Sequence, residues 1–188
     1  MRKFNAHLES VTPYGQGRYH DTPKLPRELH DAYEERTYLH KLHVSLNEIY
    51  IPPMAIKKCL EETAQYIKMP IPGRGKETYT KNIRQAVLIN EPCMLGIAPA
   101  EVRLQKVFTL SQPAKPQGGR VWKYFPVIDQ WAGVITILSL DEIVTEYVMR
   151  RHLEMGGLIT GIGVWRPNRG GSWGKFRLTS LTEEEIVL

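Results

Sequence analysis

Between Thr160 and Arg177, five glycines, four cations and two tryptophans are interleaved without an acidic residue. Glycine lets a phosphate approach main-chain N–H groups closely, arginine can clamp phosphate through two hydrogen bonds, and tryptophan can stack on a base. The chemistry this implies is a grip on nucleic-acid backbone, with Arg166, Arg169 and Lys175 on phosphates and Trp165 or Trp173 on bases. A tight β hairpin whose tryptophans cover a core uses the same residue types. The interleaving of cations with aromatics favours the nucleic-acid reading. The stretch is not a dinucleotide fingerprint: Arg166 stands where a third glycine is required, and the glycines follow a helical segment instead of opening one.

Two further segments have related composition. In Ile71 to Lys81 the cations Arg74, Lys76 and Lys81 face a single acidic residue, Glu77. Gly75-Lys76 resembles the end of a P-loop, but Glu77 occupies the magnesium-binding Ser/Thr position and Pro70 replaces the earlier glycine, so nucleotide hydrolysis by this route is unsupported. A basic loop along a single strand and a solvated surface loop both remain open for it. In Pro13 to Lys24, Arg18, His20 and Lys24 are set among Tyr14 and Tyr19. Arg18 and Lys24 suit phosphate contacts, whereas His20 has no visible partner for proton transfer and reads as a hydrogen-bonded loop histidine.

His40 and His43 could share one helical face with His30 nearby, but no H-E-x-x-H or cysteine pair completes a metal site, and no metal or other cofactor is expected. Asp31, Glu34, Glu35 and Arg36 read as an exposed, charge-laced helix. No nucleophile elbow or Ser/His/Asp signature is present. Cys59 and Cys93 are isolated and expected as buried thiols.

The elements that must position these residues fit one domain. The chain has 188 residues, 42% hydrophobic and 24% charged, ordinary globular usage, with a net charge of +5 that favours an anionic partner. No apolar run suits a membrane helix and the amino end lacks a signal-peptide core, so a cytoplasmic protein with no membrane partner is expected. Strands are predicted at Ala6 to Tyr14, Glu48 to Ile51, Ala86 to Asn90, Val102 to Leu110, Val121 to Val127 and Gly133 to Leu140. Pro52-Pro53 opens a helix ending near Ile67, with Ile56, Leu60, Thr63, Ala64 and Ile67 inward and Lys57 and Lys58 toward water. A second helix runs from Glu142 to Met155, capped by Asp141 and stopped by Gly156-Gly157, with Ile143, Val144, Tyr147 and Val148 on its inner face. A carboxyl-terminal glycine-rich hairpin follows, from Leu158 to Trp165 and from Trp173 to Thr179. The strong elements read as an α+β, ferredoxin-like (RRM-like) βαββαβ core with insertions at about 15–36, 69–81 and 111–119.

Two segments carry a family resemblance. Ile49 to Leu60, a strand, an Ile-Pro turn and a lysine-bearing helix, resembles a segment of the RAMP superfamily of CRISPR-associated proteins. Gly161 to Phe176 resembles that superfamily's glycine-rich loop, which also follows a helix near the carboxyl end. Pro53-Met54 departs from the glycine and serine usual there, and the insertions are unmatched. The resemblance implies a ferredoxin-like fold binding single-stranded RNA, often as repeated subunits along the strand, with Lys57 or Lys58 and the terminal loop near the backbone.

The leading expectation is a non-enzymatic protein that binds single-stranded RNA or DNA through Arg18, Lys24, Lys57, Arg74, Lys76, Arg166, Arg169 and Lys175. It would act as a homo-oligomer or a ribonucleoprotein subunit. The alternatives are a metal-independent endoribonuclease using His20, His40 or His43, and a structural subunit of a viral or mobile-element assembly.

Overall fold

Phe4, Ala6 and Leu8 alternate with polar residues along the first strand and are fully buried, the period of a strand with one face on a core. The computed structural model describes residues 1–110 and 119–186, so the break expected at 111–119 lies, apart from Gly119, outside the described residues. Strand β1 (Arg2–Ser10) begins before the predicted Ala6, because Arg2 and Lys3 meet Glu183 and Glu184 across the sheet.

Next in the chain come β2 (Tyr14–Gly15), α1 (His30–Thr37), a 3₁₀ turn (Tyr38–Lys41), β3 (Val44–Ser45), β4 (Glu48–Ile51), α2 (Pro53–Ile67), α3 (Thr80–Ala86), β5 (Val87–Leu88) and β6 (Cys93–Met94). They are followed by β7 (Arg103–Leu110), β8 (Arg120–Ile128), β9 (Ala132–Ser139), α4 (Glu146–Met155) and β10 (Phe176–Glu185). The principal sheet has the order β10-β1-β9-β5, with antiparallel neighbours throughout. Two small antiparallel sheets, β2-β8-β7 and β3-β4-β6, complete a mixed α and β fold. The predicted strand Glu48 to Ile51 is present but lies in the third sheet, so the segment from β2 to β4, α1 included, is an excursion between β1 and α2.

Helices α2 and α4 supply the apolar cover, and Ile56, Leu60 and Ala64 share a core with Val148, Met149 and Leu153 and with Ile135 and Ile137 of β9. Pro53 occupies the first helical position of α2, and Lys68 ends the helix in the left-handed region with its N–H on the Ala64 carbonyl. Cys59 and Cys93 are buried free thiols, each pushed up to about 12 by burial.

Helix α4 departs from expectation at both ends. Asp141 accepts from the Ile143 N–H and from Asn82, holding the preceding turn; Thr145 is the cap, accepting from Val148. Tyr147, predicted inward, is 69% exposed, and the inner face is Val148, Met149, His152 and Leu153. Gly156-Gly157 does not stop the helix, which widens into a π turn over Gly156–Thr160, with Gly161 N–H bonded to the Gly156 carbonyl. These glycines answer to packing: a Cβ on Gly157 would lie 2.0 Å from the Phe176 carbonyl oxygen. The predicted strand from Leu158 to Trp165 is therefore absent, as that π turn is followed by positive φ at Gly161, Gly163 and Trp165.

Candidate nucleic-acid interface

The Thr160 to Lys175 stretch is a loop bonded on both flanks. Internally, Ile162 N–H donates to the Gly174 carbonyl and Trp173 N–H to Trp165. Externally, Val164 N–H donates to Gly15, Gly174 N–H to Pro13, and Lys175 N–H to the Thr12 hydroxyl. The approach is close enough to require glycine on both sides, since a Cβ on Gly174 would meet the Ile162 oxygen at 1.8 Å and one on Gly15 would meet Val164 at 2.7 Å. Two basic, glycine-bearing segments distant in sequence, at Arg18 and at Arg166 to Lys175, thus form one ridge.

The predicted cations divide by whether their charge is already used. Arg18 and Arg169 are exposed and Lys175 half-buried, and none has an ion pair among the described residues. Lys24 is exposed, with its ammonium 5.5 Å from the Tyr33 ring centre. Arg166 is instead held by Glu62 of α2 at 2.9 Å, and Glu62 also accepts from Asn168. Trp165 and Trp173 are half-buried and packed edge to face at 6.5 Å, and Trp173 continues onto Phe125 of β8 at 6.3 Å. Much of their surface is spent fixing the loop.

Lys57 does not face water. Its side chain lies inside, and Nζ donates to the carbonyls of Ile83, Arg84 and Val87 at 2.6, 2.9 and 2.6 Å. Those carbonyls belong to the carboxyl end of α3 and the residue after it, where the helix leaves acceptors without internal partners. Burial lowers the Lys57 pKa, with partial relief from Glu61. An ammonium with three protein acceptors has no N–H left for phosphate, so the expected backbone contact at Lys57 is corrected to a structural one. Lys58, exposed, pairs with Glu61.

Arg74 and Lys76 sit in a loop closed on itself, with Ile71 N–H on Glu77, Glu77 N–H on Arg74 and a bridge between Pro70 and Thr78. Both side chains are exposed. They border a groove of about 840 Å³ that also receives Lys81 and Arg84. This loop packs on α2 and α3, and no hydrogen bond among the described residues joins it to the Arg18–Arg169 ridge.

Of the histidines, His20 and His40 come together, ring centres 5.6 Å apart and edge to face, in a pocket behind Arg18. His43 turns away against Tyr50 at 5.6 Å, so the helical face expected for His40 and His43 is not formed: their segment is a 3₁₀ turn running into extended chain. Burial lowers the pKa of both His20 and His43, reinforced at His20 by His40 and Lys41 and at His43 by Arg18.

One surface escaped the sequence reading. Strands β7 and β8 form a ribbon whose outer part pairs with no third strand among the described residues, since β2 reaches only Val127 and Ile128. Phe108 and Trp122 lie directly opposite each other on this ribbon, 50% and 37% exposed, ring centres 4.9 Å apart. Lys106 sits over Trp122 at 4.6 Å and over Tyr124 at 5.0 Å, on the same face. Both strands were predicted, but the register that sets Phe108 opposite Trp122 is a long-range property of the hairpin. Trp173, packed on Phe125, links the base of this ribbon to the glycine-rich ridge.

No helix of the described residues is long and apolar enough to cross a membrane. No family model and no curated protein matches the chain. Solved structures do. A chain of a type III-B Cmr-β assembly bound to cognate target RNA superposes with a TM-score of 0.56 at 11% identity, covering 97% of this chain and 60% of that one. Cmr6 from Pyrococcus furiosus gives a TM-score of 0.55 at 12% identity, covering 95% and 99%. The present chain thus spans about three-fifths of the first neighbour's length and nearly all of the second's. At such identities the likeness is one of fold, and the chain shares the mixed α and β fold of these two structures.

Proposed function

We propose that this protein binds single-stranded RNA as a subunit of a ribonucleoprotein, without cleaving it. The observation that carries the reading is the bonding of two basic glycine-bearing segments to each other through Gly15 and Val164, while Arg18, Arg169 and Lys175 on those segments have no carboxylate partner among the described residues. Cations left unpaired beside closely approachable backbone suit a phosphate chain. The ribbon supplies the complementary element, since Phe108 and Trp122 offer π faces to bases and Lys106 adds charge at the same place. The fold neighbours lend support in that one of them comes from an assembly bound to target RNA.

We read the core as ferredoxin-like, because the order β10-β1-β9-β5, with α2 between β1 and β5 and α4 between β9 and β10 in sequence, matches the βαββαβ arrangement. In this reading Lys24, Arg74 and Lys76 extend the basic surface, while Lys57 and Arg166 hold its supports in place.

Titration of labelled single strands over a range of salt tests the proposal. Affinity should fall linearly on logarithmic axes, with a slope of about −0.7 per phosphate neutralised. Arg18→Ala, Arg169→Ala and Lys175→Ala should each make that slope shallower by about one such step. Matched RNA and DNA strands report on contacts to the 2′-OH, and light scattering with strands of increasing length reports on assembly along them. Absence of binding at micromolar protein and low salt overturns the proposal.

A further inference from the structure

We propose that the pocket formed by Arg18, His20 and His40 is a phosphate-binding site that takes one phosphate of the bound strand and holds it more tightly when a histidine is protonated. This rests on the single-strand reading above for its natural ligand, but the pocket can be tested with inorganic phosphate alone.

The pocket, about 470 Å³, is lined by Arg18, Tyr19, His20, Asp21, Thr22 and His40. Its position follows from the backbone. Arg18 N–H donates to the Lys41 carbonyl, which binds the loop after β2 to the 3₁₀ turn carrying His40. Tyr33 of α1 supports the loop, its hydroxyl donating to the Thr22 carbonyl and its ring 6.1 Å from that of His20.

Three features mark the pocket as a place for an anion. The Arg18 side chain is exposed and has no ion pair among the described residues. His20 lines the cavity while its Nδ1 is shielded from solvent without a hydrogen-bond partner among the described residues, so contact with an anion in the cavity falls to the other ring nitrogen. His40 Nδ1 is fixed by the Thr22 hydroxyl at 2.7 Å, which orients the ring and leaves Nε2 uncommitted. A guanidinium and two imidazoles around one cavity match the oxygens of a phosphate group.

The surrounding charges decide how the histidines respond. Asp21 lines the same loop and favours protonation; Lys41 opposes it but is itself paired with Glu34 of α1 at 2.5 Å. Arg36 is paired with Glu28, and Lys24 lies over Tyr33. His43 is outside the pocket and feels Arg18. With Lys41 and Arg36 neutralised by their partners and Lys24 outside the lining, Arg18 is offset by Asp21, so the pocket becomes basic when a histidine takes up a proton. Burial and mutual repulsion hold His20 neutral at neutral pH. A bound phosphate reverses that balance by favouring the imidazolium, and by reciprocity a fall in pH strengthens phosphate binding.

Nuclear magnetic resonance of the histidine rings in the intact protein, titrated from pH 8 to 5 in inorganic phosphate or in chloride at equal ionic strength, tests the site. Phosphate should displace the His20 and His40 resonances and raise their midpoints, leaving those of His7 and His30 in place. Arg18→Ala should abolish the displacement. Strand affinity should rise several-fold more between pH 8 and pH 6 in the natural protein than in the folded His20→Gln, His40→Gln double variant.

Unmoved His20 and His40 resonances in phosphate overturn the site. So do equal pH responses of natural and double-variant proteins toward a strand they both bind, an outcome that leaves the single-strand reading standing. If no strand binds at any pH, that reading fails and the phosphate titration alone decides the pocket. Scission of the strand that disappears in His20→Gln replaces a binding site by a catalytic one and overturns the proposal.

Discussion

Arg166 in the glycine-rich loop and Glu62 on α2 form a half-buried ion pair at 2.9 Å, and Asn168 donates to the other oxygen of the same carboxylate. One glutamate thus anchors the loop at two points two residues apart. The arrangement explains why a cation inside the most basic stretch of the chain is not part of its free charge.

Glu62→Gln should lower stability by about 1–2 kcal/mol, the scale of a partly buried charge-assisted hydrogen bond. Arg166→Ala should cost a similar amount. Because the pair acts together, the double variant should cost less than the sum of the two. Denaturant unfolding reads all three. In strand binding, Arg166→Ala should weaken affinity without making the salt slope shallower, unlike Arg169→Ala, since only the latter removes an unpaired cation. Equal changes of slope would return Arg166 to the phosphate contacts.

Lys57→Met should destabilise by about 2–4 kcal/mol, because it leaves the three carbonyls at the end of α3 without their donor inside the protein. Lys58→Met, one residue along and exposed, should change stability by less than about 0.5 kcal/mol. Chemical denaturation separates the two lysines. Similar small losses for both would place Lys57 in solvent.

The two lysines mark the boundary of what was legible in the chain. The stripe Ile56, Leu60, Thr63 and Ala64 follows from helical spacing, but Lys57 sits at the edge of that stripe, and only the approach of α3 decides whether its ammonium meets water or carbonyls. Strand β9 was readable as a short apolar, β-branched run, whereas the start of β1 depended on ion pairs with the far end of the chain. Gly156-Gly157 misled because glycine is required equally by a helix end and by the nearby Phe176 backbone. The composition of the terminal loop marked its cations, whereas the fate of each depended on carboxylates far away in sequence, such as Glu62. The Phe108–Trp122 pair needed the hairpin register.

Stability should decline on the acid side of neutrality before carboxylates titrate. His152 is fully buried, with Nδ1 2.7 Å from the Val148 carbonyl and Nε2 unpartnered among the described residues; burial lowers its pKa, as it does for His20 and His43. A histidine whose folded pKa lies below its unfolded value of about 6.5 binds its proton more readily when unfolded. Unfolding therefore takes up protons as pH falls through 6.5 and on through the folded values, and stability drops in that window. Well above 6.5 both states are neutral and the effect vanishes. Melting temperature should be insensitive to these groups between pH 7.5 and 8.5 and fall from pH 6.5 to 5. His152→Leu should flatten part of that fall; an unchanged slope would mean that His152 charges freely in the folded protein.

The exposed aromatic pair on the ribbon gives a test of base stacking that is independent of charge. Trp122→Ala should weaken single-strand binding by about 1–3 kcal/mol, the range of one base–aromatic stack, and Phe108→Ala by a similar or smaller amount. Neither removes a cation, so the salt slope should stay that of the natural protein, which distinguishes these variants from Arg18→Ala or Lys175→Ala. The folded state should lose only about 0.5–1.5 kcal/mol, because the rings pack mainly on each other and on the Lys106 stem at the unpaired end of the hairpin. Lys106→Met provides the contrast, since it removes the cation over Trp122 and should lower both affinity and slope. If Trp122→Ala and Phe108→Ala leave affinity untouched while the ridge variants reduce it, the strand runs along the glycine-rich ridge without reaching the ribbon.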